Sequence, residues 1–383
     1  MDFQLTEEQE MARQLASEFA DKEVKPTAAE RDEKAEFDRG IFAKMGELGF
    51  TGIPFPETWG GLDGGYLTLA ICIEEIAKRC AATGGCLQTH VNLGTTPIYL
   101  YGTEEQKEKY ARPLIAGEYL GAFALTEPGA GSDAGSAATV AVKDGDSYIL
   151  NGSKQFITHG GEADVYIVIA MTDKSQGVRG LTAFIVEKDT PGLEYGKKEN
   201  LMGLRSSPTR EIIFNDCQIP ASNLLGAEGQ GFRIAMHGLD FGRVGVAAQS
   251  LGIAQAALDN ALQYSSEREQ FGKPINKFQA VAFKMADMAM QVEAARMLTW
   301  KAAWLCDQGQ RFSKEAAMAK CFASDIAMQV ATEAVQIFGG YGFTKEYPVE
   351  RFMRDAKVQQ IYEGTNEVQR MVISGALIAG LKK

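Results

Sequence analysis

The hydrophobic period changes twice along this chain of 383 residues, and that change limits its fold most strongly. Apolar residues recur at helical spacing from Thr6 to about Gly117, and again from about Ala227 to the end. Between them lie short apolar and β-branched runs, separated by turn signals such as Asn151-Gly152. No helices interrupt these runs, which argues against a parallel dinucleotide-binding sheet. The pattern predicts an α+β protein with an N-terminal helical domain (1–120), a central β-domain (121–225) and a C-terminal helical domain (226–383).

Two local patterns make this prediction more specific. Thr6 and Gln9 form a capping box at the start of the first helix. The spacing predicts that this helix buries Leu5, Met11 and Leu15. In the C-terminal region, apolar side chains step by four, three and four residues, which favours core packing over a ligand site: Val281, Met285, Met288 and Val292.

Charge and residue counts exclude several functions. The chain carries 39 basic and 50 acidic side chains, a net charge of −11, which repels phosphate backbones and anionic lipids. We therefore expect neither nucleic acid nor a membrane surface as a partner. The six cysteines contain no C-x-x-C pair, and the three histidines are scattered, so the sequence predicts buried thiols and no metal site.

The N-terminal residues and the apolar runs bear on location. The first residues lack the basic start and apolar core of a secretory signal. The apolar runs are far shorter than the ~20 residues that cross a bilayer. We expect no membrane insertion and a cytoplasmic protein, or a mitochondrial matrix protein if the chain is already processed.

Three segments have compositions suited to chemistry. Phe123–Asp133 (FALTEPGAGSD) offers hydroxyls and backbone N–H groups to a polar ligand, although an exposed turn explains its composition equally well. Phe156–Gly161 (FITHGG) sets an aromatic ring and a hydroxyl beside glycines, and its composition favours a plain strand end. Ile361–Glu367 (IYEGTNE) contains Glu363, a general base if it is desolvated, whereas most glutamates are simply solvated.

Together with Arg268–Pro274 (REQFGKP) and Gln336–Gly342 (QIFGGYG), these segments form a recognisable set. The chain resembles the acyl-CoA dehydrogenase family from end to end, and most closely its short-chain, butyryl-CoA branch. The ordered signatures extend over about 245 residues. The resemblance implies a helical domain, a central β-barrel and a C-terminal four-helix domain, in agreement with the periodicity.

The resemblance also implies FAD as cofactor. Thr126 and Thr158 would hydrogen-bond the polar edge of the flavin. The pyrophosphate and adenosine would be held by Arg268, Gln279 and Gln336–Gly340, and Thr365–Glu367 would close over the cofactor. The adenosine half would reach a neighbouring subunit, so a homo-oligomer is expected, most simply a tetramer built as a dimer of dimers. The residues that match the family's FAD-binding positions are Phe123, Leu125, Thr126, Ser132, Phe156, Ile157, Thr158, Arg268, Phe271, Gln279, Gln336, Ile337, Gly339, Gly340, Thr365 and Glu367.

Glu363 matches the family's catalytic base. By resemblance it would remove the α-proton of an acyl-CoA while flavin N5 takes the β-hydrogen as hydride, leaving a trans-2-enoyl-CoA. The Glu363 N–H and a ribityl hydroxyl would polarise the thioester carbonyl. One branch of the family places its base where this chain has Gly242, which has no acidic side chain. The residues expected at the substrate are Ser132, Asp240, Phe241, Arg243, Tyr362 and Gly364.

Substrate and direction stay open at this stage. A glutaryl-type enzyme would place an arginine within Ala82–Leu87, where this chain has none, although Arg79 is near in sequence. A short-chain dehydrogenase that passes electrons to an electron-transferring flavoprotein is the leading interpretation. The alternatives are an enoyl-CoA or acryloyl-CoA reductase with a bifurcating partner, a dehydrogenase of branched, cyclic or aromatic acyl-CoA, and a non-catalytic scaffold subunit.

Overall fold

The computed structural model describes residues 4–381. Its N-terminal part is helical, and its last two α-helices are single turns. A π-helical segment, Thr89–Thr95, is wholly buried and connects α5 to α6. The helices are α1 (Glu7–Phe19), α2 (Ala28–Lys34), α3 (Arg39–Glu47), α4 (Gly65–Ala77), α5 (Ala81–Gln88), α6 (Thr96–Tyr101), α7 (Glu104–Gln106) and α8 (Arg112–Ile115).

The start of α1 confirms one sequence prediction and corrects another. The Gln9 N–H donates to Thr6 Oγ1 at 3.2 Å, and the Thr6 N–H donates to Gln9 Oε1 at 3.0 Å, so the capping box is present. The predicted buried face is confirmed at Leu5, which packs against the core, and is wrong at Met11 and Leu15, which are 69% and 40% exposed. The helix packs against α4 and buries Ala16 and Phe19.

Strands replace helices at Gly121 and form one mainly antiparallel sheet. The strands pair in the order β6-β7-β3-β2-β4-β5-β8, with β1 beside β4, and β6 and β8 are the two ends of this order. The two parallel contacts are β1 with β4 and β2 with β4. The strands are β1 (Gly121–Ala124), β2 (Val140–Asp144), β3 (Ser147–Thr158), β4 (Val165–Met171), β5 (Leu181–Glu187), β6 (Leu193–Lys198), β7 (Thr209–Pro220) and β8 (Leu224–Leu225).

The ends of β1 and β3 position the first two sequence motifs. All seven residues of β4 are buried, and β1 pairs with it throughout, so the loop that follows β1 starts from a fixed strand. Phe156 and Thr158 close β3. The domain boundaries 120/121 and 225/226 stay predictions.

The C-terminal region is helical again, as predicted. The longest helix contacts α4, α5 and the other long C-terminal helices, so it joins the two helical regions. Met285, Met288 and Val292 are buried and Val281 packs on the core, which confirms the predicted core face. The elements are α9 (Gly231–Glu267), a hairpin of β9 (Glu269–Gln270) and β10 (Lys273–Pro274), α10 (Gln279–Asp307), α11 (Ser313–Phe338), α12 (Val349–Gln359) and α13 (Asn366–Gly380).

Cysteine burial and helix composition complete the description. All six cysteines are free; Cys306 is half-buried and the other five are buried, in agreement with the sequence prediction. Within residues 4–381, no helix combines the length and the apolar character that crossing a bilayer requires.

Candidate active site

A cavity of about 310 Å³ lies where the β-domain meets α9 and the loop before α13. Phe232, Met236 and Leu239 of α9 form part of its apolar wall. Residues from all three sequence motifs meet here, although up to 241 residues separate them along the chain. The predicted site residues in its lining are Phe123, Leu125, Thr126, Ser132, Phe156, Ile157, Thr158, Arg243, Tyr362, Glu363 and Gly364.

A buried ion pair fixes the loop after β1. The Lys154 ammonium, fully buried in β3, donates to the Leu125 carbonyl at 3.0 Å and to Glu127 Oε1 at 2.7 Å. Glu127 also accepts the N–H groups of Ala138 and Thr139, at 2.6 and 3.0 Å. Because the carboxylate is fully partnered, the loop around Thr126 is held rigidly at the cavity.

Three hydroxyls in the cavity wall remain available to a ligand. Within the described part of the chain, Thr126, Ser132 and Thr158 make no side-chain hydrogen bond. Phe156 lies beside them with its side chain 60% exposed and with φ of +58°, a backbone conformation that non-glycine residues rarely adopt. Free hydroxyls next to an exposed aromatic ring fit a planar ligand with a polar edge, so these residues fit a flavin.

Glu363 lies in the short loop between α12 and α13. Its φ is +53° and that of Gly364 is +92°, so two successive residues adopt left-handed conformations. Lys320 Nζ and Gln369 Nε2 each donate to the Gly364 carbonyl at 2.8 Å. Thr365 caps α13 by accepting the Val368 N–H. These bonds stabilise the strained loop and aim the Glu363 side chain into the cavity.

Burial controls the charge of the Glu363 carboxyl. Gln88 Nε2 donates to Oε1 at 3.0 Å, whereas Oε2 is buried and has no partner among the described residues. Burial raises the pKa of Glu363 to about 7, against the Gln88 hydrogen bond and the positive charges of Lys320 and Arg243, which lower it. The group can therefore accept a proton near neutral pH.

Arg243 reaches the cavity from α9 with two predicted substrate residues beside it. Its Nη1 donates to Asp240 Oδ1 at 2.6 Å, and Asp240 Oδ2 accepts the Ser313 hydroxyl. Phe241 is 6% exposed and packs its ring between Tyr66 and Phe312. Neither Asp240 nor Phe241 is among the described residues that line the cavity. Their substrate role stays a prediction.

The remaining predicted cofactor residues lie elsewhere. Phe271 is 93% exposed at the turn of the β9–β10 hairpin, and Arg268 lies 5.8 Å from the ring centre of Tyr341. Thr365 and Glu367 begin α13, where Glu367 is exposed. Among residues 4–381, the cavity lining includes none of the following: Arg268, Phe271, Gln279, Gln336, Ile337, Gly339, Gly340, Thr365 and Glu367.

Two contacts of the base region were missed by sequence reasoning. Gln88 lies 275 positions from Glu363, in a stretch that reads as ordinary core. Lys320 is fully buried in α11, and a lysine inside the alanine-rich run AMAKCFA was a usable signal.

Arg79 raised a question about dicarboxylyl substrates. It pairs instead with Asp21 at 2.6 Å and Glu75 at 3.3 Å, and is not part of the described cavity lining.

Three known proteins are similar to this chain over nearly its whole length. The butyryl-CoA dehydrogenase structure from Megasphaera elsdenii superposes with a TM-score of 0.98 at 55% identity, covering 99% of this chain and 100% of that one. A chain in the structure of the electron transferring flavoprotein of Acidaminococcus fermentans gives 0.98 at 58% identity, covering 98% and 99%. The acryloyl-CoA reductase (NADH) of Anaerotignum propionicum is 50% identical, covering 98% of this chain and 95% of its own.

Family models give the same answer for each region. The N-terminal, middle and C-terminal domain models of acyl-CoA dehydrogenase match residues 6–118, 122–217 and 229–378. These matches cover most of the chain and follow the order of its helical, strand and helical regions. The chain therefore belongs to the acyl-CoA dehydrogenase family.

Proposed function

We propose that this protein is an FAD-dependent dehydrogenase of short-chain acyl-CoA, with Glu363 as the base that removes the α-proton. The observation that carries the proposal is the buried Glu363 carboxylate, whose Oε2 is unpaired at the wall of the cavity. Burial makes this oxygen a stronger base than a solvated carboxylate, as abstraction of a weakly acidic C–H proton requires.

The backbone of the base loop supplies a second element. The Glu363 N–H makes no hydrogen bond within the described part of the chain, although it lies in a loop fixed by Lys320 and Gln369. A fixed, unpaired N–H can donate to a thioester oxygen, which gains negative charge as the α-proton leaves. The same short loop thus provides both the base and a donor for the developing charge.

When bound, FAD would supply a hydride acceptor for the substrate's β-hydrogen. Thr126 and Thr158 would donate to its polar edge, and Phe156 would pack against its ring system. Arg268 offers an exposed cation beside the aromatic rings of Tyr264 and Tyr341, suited to a pyrophosphate. Because Arg268 and Phe271 lie outside the cavity, we propose that they hold the FAD of a neighbouring subunit in a homo-oligomer, with a tetramer as the expected state.

The comparisons support a short acyl chain and a flavoprotein partner. One matched structure is named for butyryl-CoA, and another for an electron transferring flavoprotein. We propose that the latter class of protein accepts the electrons here. Arg243, which is paired with Asp240, is the one arginine in the described cavity lining, and the lack of an unpaired arginine there supports a monocarboxylic acyl group.

A second candidate function is the reverse reaction. The matched acryloyl-CoA reductase shares half its residues with this chain, and the same base would then return the proton as a general acid. Direction depends on the redox partner. Anaerobic titration of the oxidised protein with butyryl-CoA, and of the photoreduced protein with crotonyl-CoA, measures flavin reduction and flavin reoxidation in one preparation.

The deciding experiment uses Glu363→Gln. We expect the variant to keep its yellow flavin and its affinity for butyryl-CoA, and to lose at least ~10²-fold in kcat. Unchanged turnover would overturn the role of Glu363. If the flavin absorbance of the parent protein bleaches with hexanoyl-, isobutyryl- or cyclohexanecarbonyl-CoA but not with butyryl-CoA, the proposed short, unbranched acyl substrate is wrong. If it binds no flavin after reconstitution, the scaffold alternative replaces the proposal.

A further inference from the structure

Gln88 makes a direct contact with the proposed base that the reaction scheme above does not use. It ends α5, is fully buried, and precedes the buried π-helical segment. Its Nε2 donates to Glu363 Oε1 and to Thr89 Oγ1, both at 3.0 Å. A π-helix often marks a functional position, because its extra residue redirects the side chains beside it.

Two glycines of α9 make room for this contact. A methyl group on Gly242 would stand 1.9 Å from Glu363 Oε2, and one on Gly245 would stand 2.7 Å from Gln88 Oε1. The base and its donor therefore rest against the backbone of one helix, about one turn apart. Neither side chain can move toward α9, so the geometry of the pair is fixed from that side.

The hydrogen-bonding pattern leaves two oxygens free. Gln88 Oε1 and Glu363 Oε2 are both buried without a partner among the described residues. The Gln88 NH₂ group donates to Glu363 Oε1 and so favours the ionised carboxyl, while Oε2 is left to take a proton. A methionine or leucine at position 88 would donate no such hydrogen bond.

The charges around Glu363 come from other elements and do not duplicate this contact. Arg243 of α9 is paired with Asp240, and Lys320 of α11 is bound to the Gly364 carbonyl and to Asn366 Oδ1. The hydroxyl of Tyr362, the neighbour in the loop, lies within hydrogen-bond distance of Gln249 Oε1 and Gln359 Oε1. Among the described residues, Gln88 is the side chain that hydrogen-bonds the Glu363 carboxyl.

We propose that Gln88 is the positioning residue of the base: it holds Glu363 Oε1 through one N–H and leaves Oε2 free to take the α-proton. This inference rests on the proposed function of Glu363. The proton moves from the substrate α-carbon to Oε2, and the C–H electron pair stays with the substrate. Gln88 itself neither gains nor loses a proton.

The test compares Gln88→Met with the parent holoenzyme. Methionine keeps the length and volume of glutamine and removes both hydrogen-bonding groups. We expect kcat/KM at pH 7 to fall about tenfold and the midpoint of its pH profile to rise by about one unit, with KM changed less than about twofold, because ionisation of the base loses a donor. Gln106→Met, a buried glutamine that donates to the Ser222 and Leu224 carbonyls, is the control and should keep the parent midpoint.

A second measurement reports on the base without turnover. The infrared band of the protonated Glu363 carboxyl, identified by its loss in Glu363→Gln, should titrate at higher pH in Gln88→Met than in the parent. If the methionine variant loses flavin, Gln88→Asn is used instead, because its side chain is one methylene shorter and withdraws the amide from Glu363. The carboxyl band should again titrate at higher pH than in the parent.

The outcomes separate the two hypotheses. If Glu363→Gln keeps full activity, the proposed function of Glu363 fails. If Glu363→Gln is inactive but the Gln88 variants keep the parent midpoint and band position, the inference about Gln88 alone is overturned.

Discussion

The α-carbon of Gly242 lies against the carboxylate of Glu363, so that a methyl group at this position would stand 1.9 Å from Oε2. We predict that Gly242→Ala pushes the carboxylate out of the cavity wall and lowers kcat by ~10²-fold or more, since a displaced base is in effect a missing one. Steady-state kinetics with butyryl-CoA, with flavin content as a check on folding, measures this.

Gly238 of the same helix provides a matched control. A methyl group there meets Pro97 Cγ at 3.4 Å, an ordinary contact. Gly238→Ala should keep parental activity and gain roughly 0.5–1 kcal/mol of stability, because alanine replaces glycine inside a helix. Equal activity losses in both variants would show that the effect comes from the helix and not from the contact with Glu363.

This contact also shows what sequence could and could not predict. The local sequence around Glu363 is enough to predict its role as a base, and Gly242 can be identified as a position without an acidic side chain. The requirement for a small residue at Gly242 cannot be predicted locally, because it depends on a contact between residues 121 positions apart in the chain. Gln88 and Lys320 were missed for the same reason: their roles arise from tertiary contacts that no local period encodes.

The same distinction applies to the fold. Period changes predicted the order of helices, strands and helices, and the capping box fixed the start of α1 to the residue. Two of the three residues predicted on the buried face of α1, Met11 and Leu15, are exposed, because α1 packs on α4 with Ala16 and Phe19 buried. The position of α4 decides which face of α1 is buried, and the spacing within α1 does not contain that information.

The pH dependence of activity should report the Glu363 carboxyl. Because burial raises its pKa to about 7, the reactive ionised form is lost as the pH falls below neutral. We predict that kcat/KM for butyryl-CoA rises with pH up to a midpoint near 7 and falls about tenfold per unit well below it. A profile that is flat between about pH 5 and 8 would contradict this, since an ordinary solvated glutamate stays ionised there.

Lys320 should affect both the loop and the charge of the base. Lys320→Met removes the donor to the Gly364 carbonyl and to Asn366 Oδ1, as well as the positive charge that lowers the pKa of Glu363. We expect the free energy of unfolding to fall by about 1–3 kcal/mol because two charge-assisted hydrogen bonds are lost, and the kcat/KM midpoint to lie above that of the parent. Melting temperature and the pH profile measure the two effects separately.

Lys320→Gln separates the contribution of the hydrogen bonds of Lys320 from that of its positive charge. Glutamine retains a donor but no charge, so it should recover part of the melting temperature while its pH midpoint stays above the parental value. If both variants keep the parental midpoint, the charge of Lys320 does not act on Glu363.

The Lys154–Glu127 ion pair should control flavin retention. Both side chains are almost completely inaccessible, so Lys154→Met leaves a carboxylate with two N–H partners and no countercharge. We predict that the free energy of unfolding falls by about 3–5 kcal/mol and that the variant releases FAD on dilution. Gel filtration with absorbance detection measures the FAD that stays bound. The double variant Lys154→Met with Glu127→Gln should recover part of the loss. Lys143→Met on the exposed part of β2 is the control, and an equal effect there would refute the role of the pair.

Two buried histidines should make the fold sensitive to acid. Burial lowers the pKa of His159 to about 4 and that of His90 to about 3, and both rings hydrogen-bond backbone groups at Gly121. Their unfolded pKa is near 6.5. Between about pH 6.5 and 4 the unfolded chain binds protons that the folded chain does not, so each histidine removes up to ~1.4 kcal/mol of stability per unit of falling pH.

Other groups change stability in the opposite direction over part of this range. Burial raises the pKa of Glu363 and of Asp355 to about 7, so the folded state gains stability as the pH falls from 7 toward the ordinary carboxyl value. A comparison of parent and variant therefore isolates the histidine. His159→Asn suits the left-handed φ of +66° at this position and removes the ionisable ring. Its melting temperature should fall less steeply than that of the parent between about pH 6.5 and 4.5, and parallel curves would exclude His159 as an acid-sensitive group.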